Sequence, residues 1–551
     1  MSHPPTPEPL ISIEGLTIEL PVGSERNRAV DNIDLAVPPG RILCLVGESG
    51  SGKSMTAHAV MGLLPETVRA RGEIRFEGEN LVGMPAARHR RIRGARFGMI
   101  FQEPLAALNP VMRVGKQIEE VFRFHGIAGP YDERVEALLQ VMELPEPHLL
   151  RHAYPFRLSG GQRQRVMIAM ALALDPDLLI ADEPTTALDV TTQKQILALL
   201  KKAQADRGMA VMLITHDFGV VAEIGDDVAV MRHGKIVERG SVRDVLSNPR
   251  HAYTRELLNA VPRLQPRAAP KAIQERPLLV ASNLSKAFSS RSGWLTPRRK
   301  VQAVDDVSFS LAVGETLGIV GESGSGKSTL ARMIVGLAKA DGGDLRLDGV
   351  GGNLLELSER EMAPLRRRIQ MIFQDPFASL NPRRTVFEIV AQGLLAHGMS
   401  RARARERALE LLELVALDQA AADRYPSAFS GGQRQRIGIA RALALEPQLI
   451  VADEPISALD VSIQARVLEL LAEIQKRLRI GLILITHDLR VAAAVCDRVA
   501  VMQSGKIVES GPSAEVLFNP RHDYTRMLIE SIPGRASAAG RSDCVLEERD
   551  C

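Results

Sequence analysis

Residues 158–190 read LSGGQRQRVMIAMALALDPDLLIADEPTTALDV, and the pattern returns at 429–461 as FSGGQRQRIGIARALALEPQLIVADEPISALDV. Each copy opens with a glycine pair ahead of a helix-length apolar run. Each closes with a short apolar strand that delivers Asp-Glu-Pro to a loop. A helix amino terminus presents free N–H groups and the positive end of a dipole, and the loop after a strand can aim a carboxylate at a bound metal. The two features together predict a nucleotide site, and their recurrence predicts two.

Outward from this stretch, GESGSGKS occurs at 47–54 after an apolar strand at 41–46 and before a helix expected over 55–64. The same arrangement returns at 315–320, 321–328 and 329–337. The offset between the glycine loops matches that between the SGGQ runs to within a few residues, which marks duplication of a whole domain rather than a short-period array. Alternating strands are expected at 11–20 and 33–37. Fully apolar, buried parallel strands are expected at 178–181, 211–215, 449–452 and 482–486. Helical stretches at 114–144 and 386–417 complete an α/β pattern in each half.

The glycine loops match GxxxxGK[ST], the phosphate loop. Its first copy is Gly47, Glu48, Ser49, Gly50, Ser51, Gly52, Lys53 and Ser54. Its second is Gly321, Glu322, Ser323, Gly324, Ser325, Gly326, Lys327 and Ser328, followed by Thr329. Glycines let successive N–H groups converge on phosphate, the lysine reaches the terminal phosphates, and Ser54 and Ser328 offer a hydroxyl to Mg²⁺. Asp182 and Asp453 supply the hard oxygen that Mg²⁺ requires. The adjacent Glu183 and Glu454 can polarise a water as general bases. His216 and His487, each in ITHD after another apolar strand, are expected to donate to phosphate. Alone, a Gly/Ser turn, a surface Asp-Glu-Pro or a strand-end histidine is ordinary structure. Two complete sets in one order are not.

Composition narrows the partners. Length alone would allow three or four domains in 551 residues, but the duplication points to two large ones. Lys and Arg number 69 against 66 Asp and Glu, and aromatics are 4%, which argues against a nucleic-acid surface. The basic runs 88–96 and 366–368 therefore read as solvated helix or turn surface. Cys44 and Cys496 sit in apolar surroundings as small hydrophobes, while Cys544 and Cys551 in the polar tail show no zinc spacing, so a reducing compartment fits. The opening MSHPPTPEPL lacks the features of a signal peptide, and no apolar run approaches the roughly 20 residues that span a bilayer. Any membrane partner is then another chain.

Phosphate loop, Gln102 in MIFQEP and Gln374 in MIFQDP, SGGQ, ADEP, Asp189 and Asp460 in ALD, and THD follow in an order that resembles the ATP-binding-cassette ATPases over essentially both halves. The resemblance implies two tandem P-loop NTPase domains. Each would have a mainly parallel sheet core, an antiparallel β subdomain and an inserted helical subdomain, at 11–262 and 278–533, with a linker at 263–277 and disordered ends at 1–10 and 534–551. ATP and Mg²⁺ are the implied cofactors. Gln102 and Gln374 would touch Mg²⁺ or the attacking water and, with Asp189 and Asp460, relay nucleotide occupancy. Ser159, Gly160, Gly161 and Gln162, with Ser430, Gly431, Gly432 and Gln433, would cap the γ-phosphate held by the opposite domain, so that the cassettes pair within one chain. Phe288, with Trp294 as second choice, would stack on adenine in the second half; the first half offers only Leu20 and has no aromatic before Phe76.

The closing segments NPRHAYTRELLNAVP at 248–262 and NPRHDYTRMLIESIP at 519–533 further resemble the ATPases of oligopeptide and dipeptide importers, here as a fused pair. That branch implies two transmembrane permease subunits, an extracytoplasmic solute-binding protein met indirectly, no nucleic acid, and a peripheral place on the cytoplasmic face of the bacterial inner membrane. Peptides, glutathione, a peptide antibiotic, nickel complexes or an opine all fit as cargo. No cysteine cluster follows Tyr253, so no iron–sulfur site is expected. The alternative is a soluble tandem cassette acting on the ribosome in translation, but that class joins its halves by a long charged helix, and residues 263–277 carry three prolines.

Overall fold

The computed structural model describes residues 8–21, 23, 26–186, 188–262, 264, 276–290, 299–456 and 459–534. The chain divides into two compact units whose main boundary falls between Val261 and Pro262.

In the first unit the strands are Ile11–Glu19 (β1), Arg28–Val37 (β2), Ile42–Val46 (β3), Arg69–Phe76 (β4), Glu79–Asn80 (β5), Phe97–Ile100 (β6), Leu178–Asp182 (β7), Ala210–Thr215 (β8), Asp227–Arg232 (β9) and Lys235–Ser241 (β10). They form an antiparallel sheet, β2-β1-β4-β5, and a six-stranded sheet, β10-β9-β3-β8-β7-β6, parallel except at its β10 edge. Because β3, β7 and β8 are covered on both faces, they read as unbroken apolar runs. Ile42, Cys44 and Val46 join one core, which includes Ile118 and Leu139 of the helices Val114–Phe124 and Tyr131–Val141. Leu43 and Leu45 join the other, which is shared with β1, β2 and the helix Lys53–Met61. The period-two alternation of strand side chains thus places the helical insertion on one face and the antiparallel sheet on the other.

The second unit repeats this with Pro277–Ser290 (β11), Arg299–Ala312 (β12), Thr316–Val320 (β13), Gly342–Leu347 (β14), Ile369–Ile372 (β15), Leu449–Asp453 (β16), Gly481–Thr486 (β17), Arg498–Gln503 (β18) and Lys506–Pro512 (β19). Its sheets are ordered β12-β11-β14 and β15-β16-β17-β13-β18-β19. Its helical insertion is Val386–Val390, Gln392–Ala396 and Arg401–Leu414. Both units match the expected parallel core with an antiparallel sheet and a helical insertion.

Several sequence expectations need correction. The helix after the first glycine loop starts at Lys53, not residue 55, and stops at Met61, where Gly62 takes the left-handed carboxyl cap. The second strand starts at Arg28 rather than 33. Leu10, assigned to a disordered lead, donates its N–H to Val37 O at 2.9 Å and packs against the core. Pro277, assigned to the linker, opens β11. The basic run 88–96 is not solvated throughout: His89 is buried with Nε2 3.0 Å from Leu81 O, while Arg96 stays partly exposed. Arg96 pairs with Glu77 at 2.7 Å and with Asp177, and its guanidinium lies 4.8 Å from the Phe76 ring centroid. Residues 1–7, Trp294, Cys544, Cys551 and nearly all of 263–275 lie outside the described residues. No helix among the described residues is long and apolar enough to cross a membrane.

The two buried cysteines carry a packing lesson. Cys44 on β3 occupies the place that Gly318 holds on β13, and Gly225 occupies the place of Cys496. A Cβ on Gly225 would lie 2.7 Å from the Cys44 sulfur, and a Cβ on Gly318 would lie 2.7 Å from the Cys496 sulfur. The same gap is filled from opposite walls in the two halves. Gly318→Cys alone should overpack the site and destabilise the fold by about 1–3 kcal/mol. Adding Cys496→Gly should recover most of that loss in denaturant unfolding of the second unit. Simple addition of two losses would show that the exchange is not compensatory.

Candidate nucleotide sites

Each site begins where a parallel strand ends and a helix starts. Gly52 at the amino cap of the helix Lys53–Met61 has φ 107°, and a Cβ there would meet Ala29 O at 2.6 Å. Gly326 has φ 106°, and a Cβ there would meet Ala303 O at 2.0 Å. Only glycine satisfies both the left-handed backbone and the close approach. The loop curls around its own lysine. Lys53 Nζ donates to Gly47 O at 2.7 Å and Glu48 O at 2.9 Å; Lys327 Nζ donates to Gly321 O at 2.8 Å and Glu322 O at 2.7 Å. Both lysines are buried. Burial lowers the Lys327 pKa, and the nearby Glu454 charge offsets this only in part. An anion at the loop would compensate the buried charge.

The aspartates close β7 and β16. Burial raises the pKa of Asp182 and of Asp453, against hydrogen bonds from Ser54 and Ser328 that lower it. Ser328 Oγ donates to Asp453 Oδ1 at 3.0 Å. Asp182 Oδ1 is buried and, among the described residues, accepts no hydrogen bond. A desolvated carboxylate with an unused oxygen, beside a serine hydroxyl and a phosphate loop, fits a hard divalent cation. Among the described residues no group of three or more His, Cys, Asp or Glu forms a metal cage by itself. Mg²⁺ does not need one, since it usually takes one or two carboxylates together with phosphate and water.

Directly after each aspartate the backbone turns sharply. Glu183 has φ 47° and Glu454 φ 44°, left-handed positions that cost a non-glycine residue energy and are found at functional sites. Their N–H groups are tied to the next strand, to Ile214 O at 2.9 Å and Ile485 O at 3.0 Å. The turn delivers each carboxylate to the same two partners. Gln102 Nε2 donates to Glu183 at 3.1 Å, and His216 Nδ1 lies 3.3 Å from it, with Thr186 Oγ1 donating at 2.9 Å. Gln374 Nε2 donates to Glu454 at 2.9 Å, and His487 Nδ1 lies 3.3 Å away. Burial works to raise the Glu183 pKa, but His216, Thr186 and the Lys53 charge outweigh it and hold the group at about 2. Glu454 is likewise lowered, against burial, by His487 and Lys327. Burial pulls the His487 pKa down, yet its contact with Glu454 raises it overall. Gln102 and His216, expected on Mg²⁺ or phosphate, thus converge on the glutamate, as do their counterparts.

The SGGQ residues are organised around their own helices. Ser159 caps Gly160–Ala171: Gln162 N donates to Ser159 Oγ at 3.2 Å, and Ser159 N donates to Gln162 Oε1 at 3.0 Å. Ser430 and Gln433 form the same box on Gly431–Leu443, at 3.4 and 3.0 Å. Each closes its terminus reciprocally. A Cβ on Gly161 would lie 2.7 Å from Thr192 Cγ2, and one on Gly432 would lie 2.3 Å from Ile463 Cγ2. The second glycine of each pair therefore lets this helix pack on the next, while Ser159 and Gly160 remain exposed. Asp460 stands at the amino-cap position of the helix Val461–Leu478, and Asp189 accepts from Thr191 Oγ1 at 2.7 Å. Phe288 stands half-exposed on β11, with Lys286 Nζ 5.6 Å from its ring centroid.

One pair of residues at the loops was not singled out in the sequence. The hydroxyls of Tyr253 and Tyr524, in the NPRHxYT segments, accept the N–H groups of Glu48 at 3.3 Å and Glu322 at 3.2 Å. The available signal was their recurrence at the same place after each loop.

Comparison with known proteins agrees with this geometry. The family described as "ABC transporter" matches residues 30–186 and 304–457, and "Oligopeptide/dipeptide transporter, C-terminal region" matches 237–293 and 508–543. The chain is 45% identical over 531 residues to a protein of Agrobacterium fabrum named peptidoglycan transport ATP-binding protein YejF, covering 95% of this chain and 96% of that one. It is 44% identical over 581 residues to the glutathione import ATP-binding protein GsiA of Escherichia coli, covering 98% and 92%.

Proposed function

Since the chain belongs to the ABC transporter family and is an ATPase of its oligopeptide/dipeptide importer branch, we propose that its two ATP sites drive a pair of permease subunits importing a peptide or a peptide-like solute. Glutathione and peptidoglycan fragments are the cargo classes that the relatives' names suggest. The observation that carries this reading is the intact glutamine–glutamate–histidine constellation beside a complete phosphate loop in each half. The ribosomal alternative gains nothing here, whereas the importer C-terminal region follows both cassettes.

In the proposed cycle the loop N–H groups and Lys53 or Lys327 bind the ATP phosphates. Ser54 with Asp182, and Ser328 with Asp453, would hold Mg²⁺, which when bound neutralises phosphate charge. Glu183 or Glu454, ionised in its site, takes a proton from the attacking water as the water's oxygen bonds to the γ-phosphorus and the bond to ADP breaks. Gln102 and His216, or Gln374 and His487, orient that carboxylate. The exposed SGGQ terminus of each half closes over the nucleotide of the other, with the dipole and N–H groups facing the γ-phosphate. Phe288 supports adenine in the second site, and Leu20 gives apolar contact in the first.

Coupling passes through the glutamines. Phe101, immediately before Gln102, is 41% exposed, and Leu105 and Val111 just after it are 55% and 82% exposed. Apolar side chains held out beside a γ-phosphate-sensing residue suit a permease segment at the cytoplasmic face of the inner membrane, with a solute-binding protein on the far side. Leu105→Glu and Val111→Glu should leave permease-free ATPase activity unchanged and abolish retention on membranes that contain the permease pair. Retention of both variants on those membranes, or recovery of the wild-type chain with ribosomes instead, would contradict the proposal.

A further inference from the structure

The C-terminal region reaches the phosphate loop by the same route in both halves. In the first, the Glu238 carboxylate on β10 accepts the N–H groups of Arg250 at 2.6 Å and His251 at 3.1 Å. His251 Nδ1 accepts the N–H of Tyr253 at 3.1 Å and so caps the helix Ala252–Ala260. The Tyr253 ring is buried, 2% exposed, and its hydroxyl accepts the Glu48 N–H. In the second half Glu509 accepts from Arg521 at 2.8 Å and His522 at 3.2 Å, His522 Nδ1 accepts from Tyr524 N at 3.1 Å, and the Tyr524 hydroxyl accepts the Glu322 N–H.

We propose that Tyr253 and Tyr524 are positioning residues for ATP binding, through which the C-terminal region of each cassette sets the shape of that cassette's phosphate loop. This rests on the reading of 47–54 and 321–328 as phosphate loops. Burying a phenol hydroxyl is unfavourable unless it is bonded, and phenylalanine would fill the same space without that demand. The hydroxyl is kept where its bonds hold the second residue of the loop. Glu48 is gripped through its N–H by Tyr253 and through its C=O by Lys53, and Glu322 is gripped in the same way by Tyr524 and Lys327. The lysine also holds Gly47 O or Gly321 O, the carbonyl that shares a peptide unit with the N–H bound to the tyrosine; as the lysine turns to phosphate it loosens that hold, and the tyrosine bond then keeps this peptide from rotating out of the cradle. Burial and the nearby Glu48 carboxylate push the Tyr253 pKa up, so the hydroxyl stays neutral and keeps its bond to the Glu48 N–H.

The test uses the full chain, Mg-ATP, and the variants Tyr253→Phe and Tyr524→Phe. Each should weaken ATP at one of the two sites by about 5–10-fold, the size of one lost hydrogen-bond pair. KM should rise by the same factor with kcat within about twofold, because the loop is held alike in ground and transition states. Amide exchange at Glu48 or Glu322 should quicken, while the unfolding midpoint without nucleotide stays within about 2 °C. Unchanged affinity and exchange would overturn the inference, as would weaker binding that accompanies a fallen midpoint and a fallen kcat, the pattern of a purely structural ring. Failure of the wild-type chain to bind Mg-ATP would instead refute the phosphate-loop reading itself.

Discussion

Replacing both Glu183 and Glu454 with glutamine should lower ATP hydrolysis by about 10²–10⁴-fold, the range that a positioned general base supplies. Each single substitution should slow turnover by itself. Glutamine keeps the shape of the side chain and an oxygen that can still accept from Gln102 or Gln374, so the surrounding contacts survive. What it removes is the basic carboxylate. That carboxylate is ionised in the native site, since the histidine and lysine beside it outweigh burial. Its position is also expensive, because both glutamates occupy left-handed backbone that a non-glycine residue tolerates only when the surroundings enforce it. ATP should still bind to the double variant and persist uncleaved. Phosphate release from a single turnover checks this directly, and a single variant with an unchanged rate would mean that its site does not hydrolyse ATP.

Much of this machinery was legible in the sequence because phosphate chemistry leaves local marks. A loop that must turn through left-handed glycines under a neighbouring backbone, as at Gly52 and Gly326, has few alternatives, so GxxxxGK[ST] reads through directly. Strands covered on both faces write themselves as apolar runs, which is why β3, β7, β8, β16 and β17 are legible in the sequence to within a residue of their ends. Contacts between distant segments leave no such mark. The Tyr253 hydroxyl meets a loop some two hundred residues earlier in the chain. Arg96 stays partly exposed, yet its contacts with Glu77, Asp177 and the Phe76 ring join segments that local sequence does not connect. The exchange of cysteine and glycine between Cys44–Gly225 and Gly318–Cys496 becomes meaningful only when a strand and the end of a helix are seen to touch. Gln102 and His216 read as site residues from their motifs, yet their convergence on Glu183 depends on the turn after β7, which local pattern does not specify.

The central proposal is that the chain carries two copies because each SGGQ terminus would serve the other copy's nucleotide. Ser159 is well suited to test it. The residue is exposed at the start of its helix, and among the described residues its hydroxyl is engaged in the cap with Gln162. Arginine there would put a long, charged side chain over the terminus and block its approach to phosphate, at a helix-cap cost of about 1 kcal/mol that the folded unit can absorb. Ser430→Arg is the reciprocal change. Site-resolved nucleotide trapping in Ser159→Arg, with the occupied loop identified by photo-labelling near Lys53 or Lys327, is the most direct measurement. The account predicts loss of trapping at Lys327 with trapping at Lys53 retained; loss at Lys53 with Lys327 retained would contradict it.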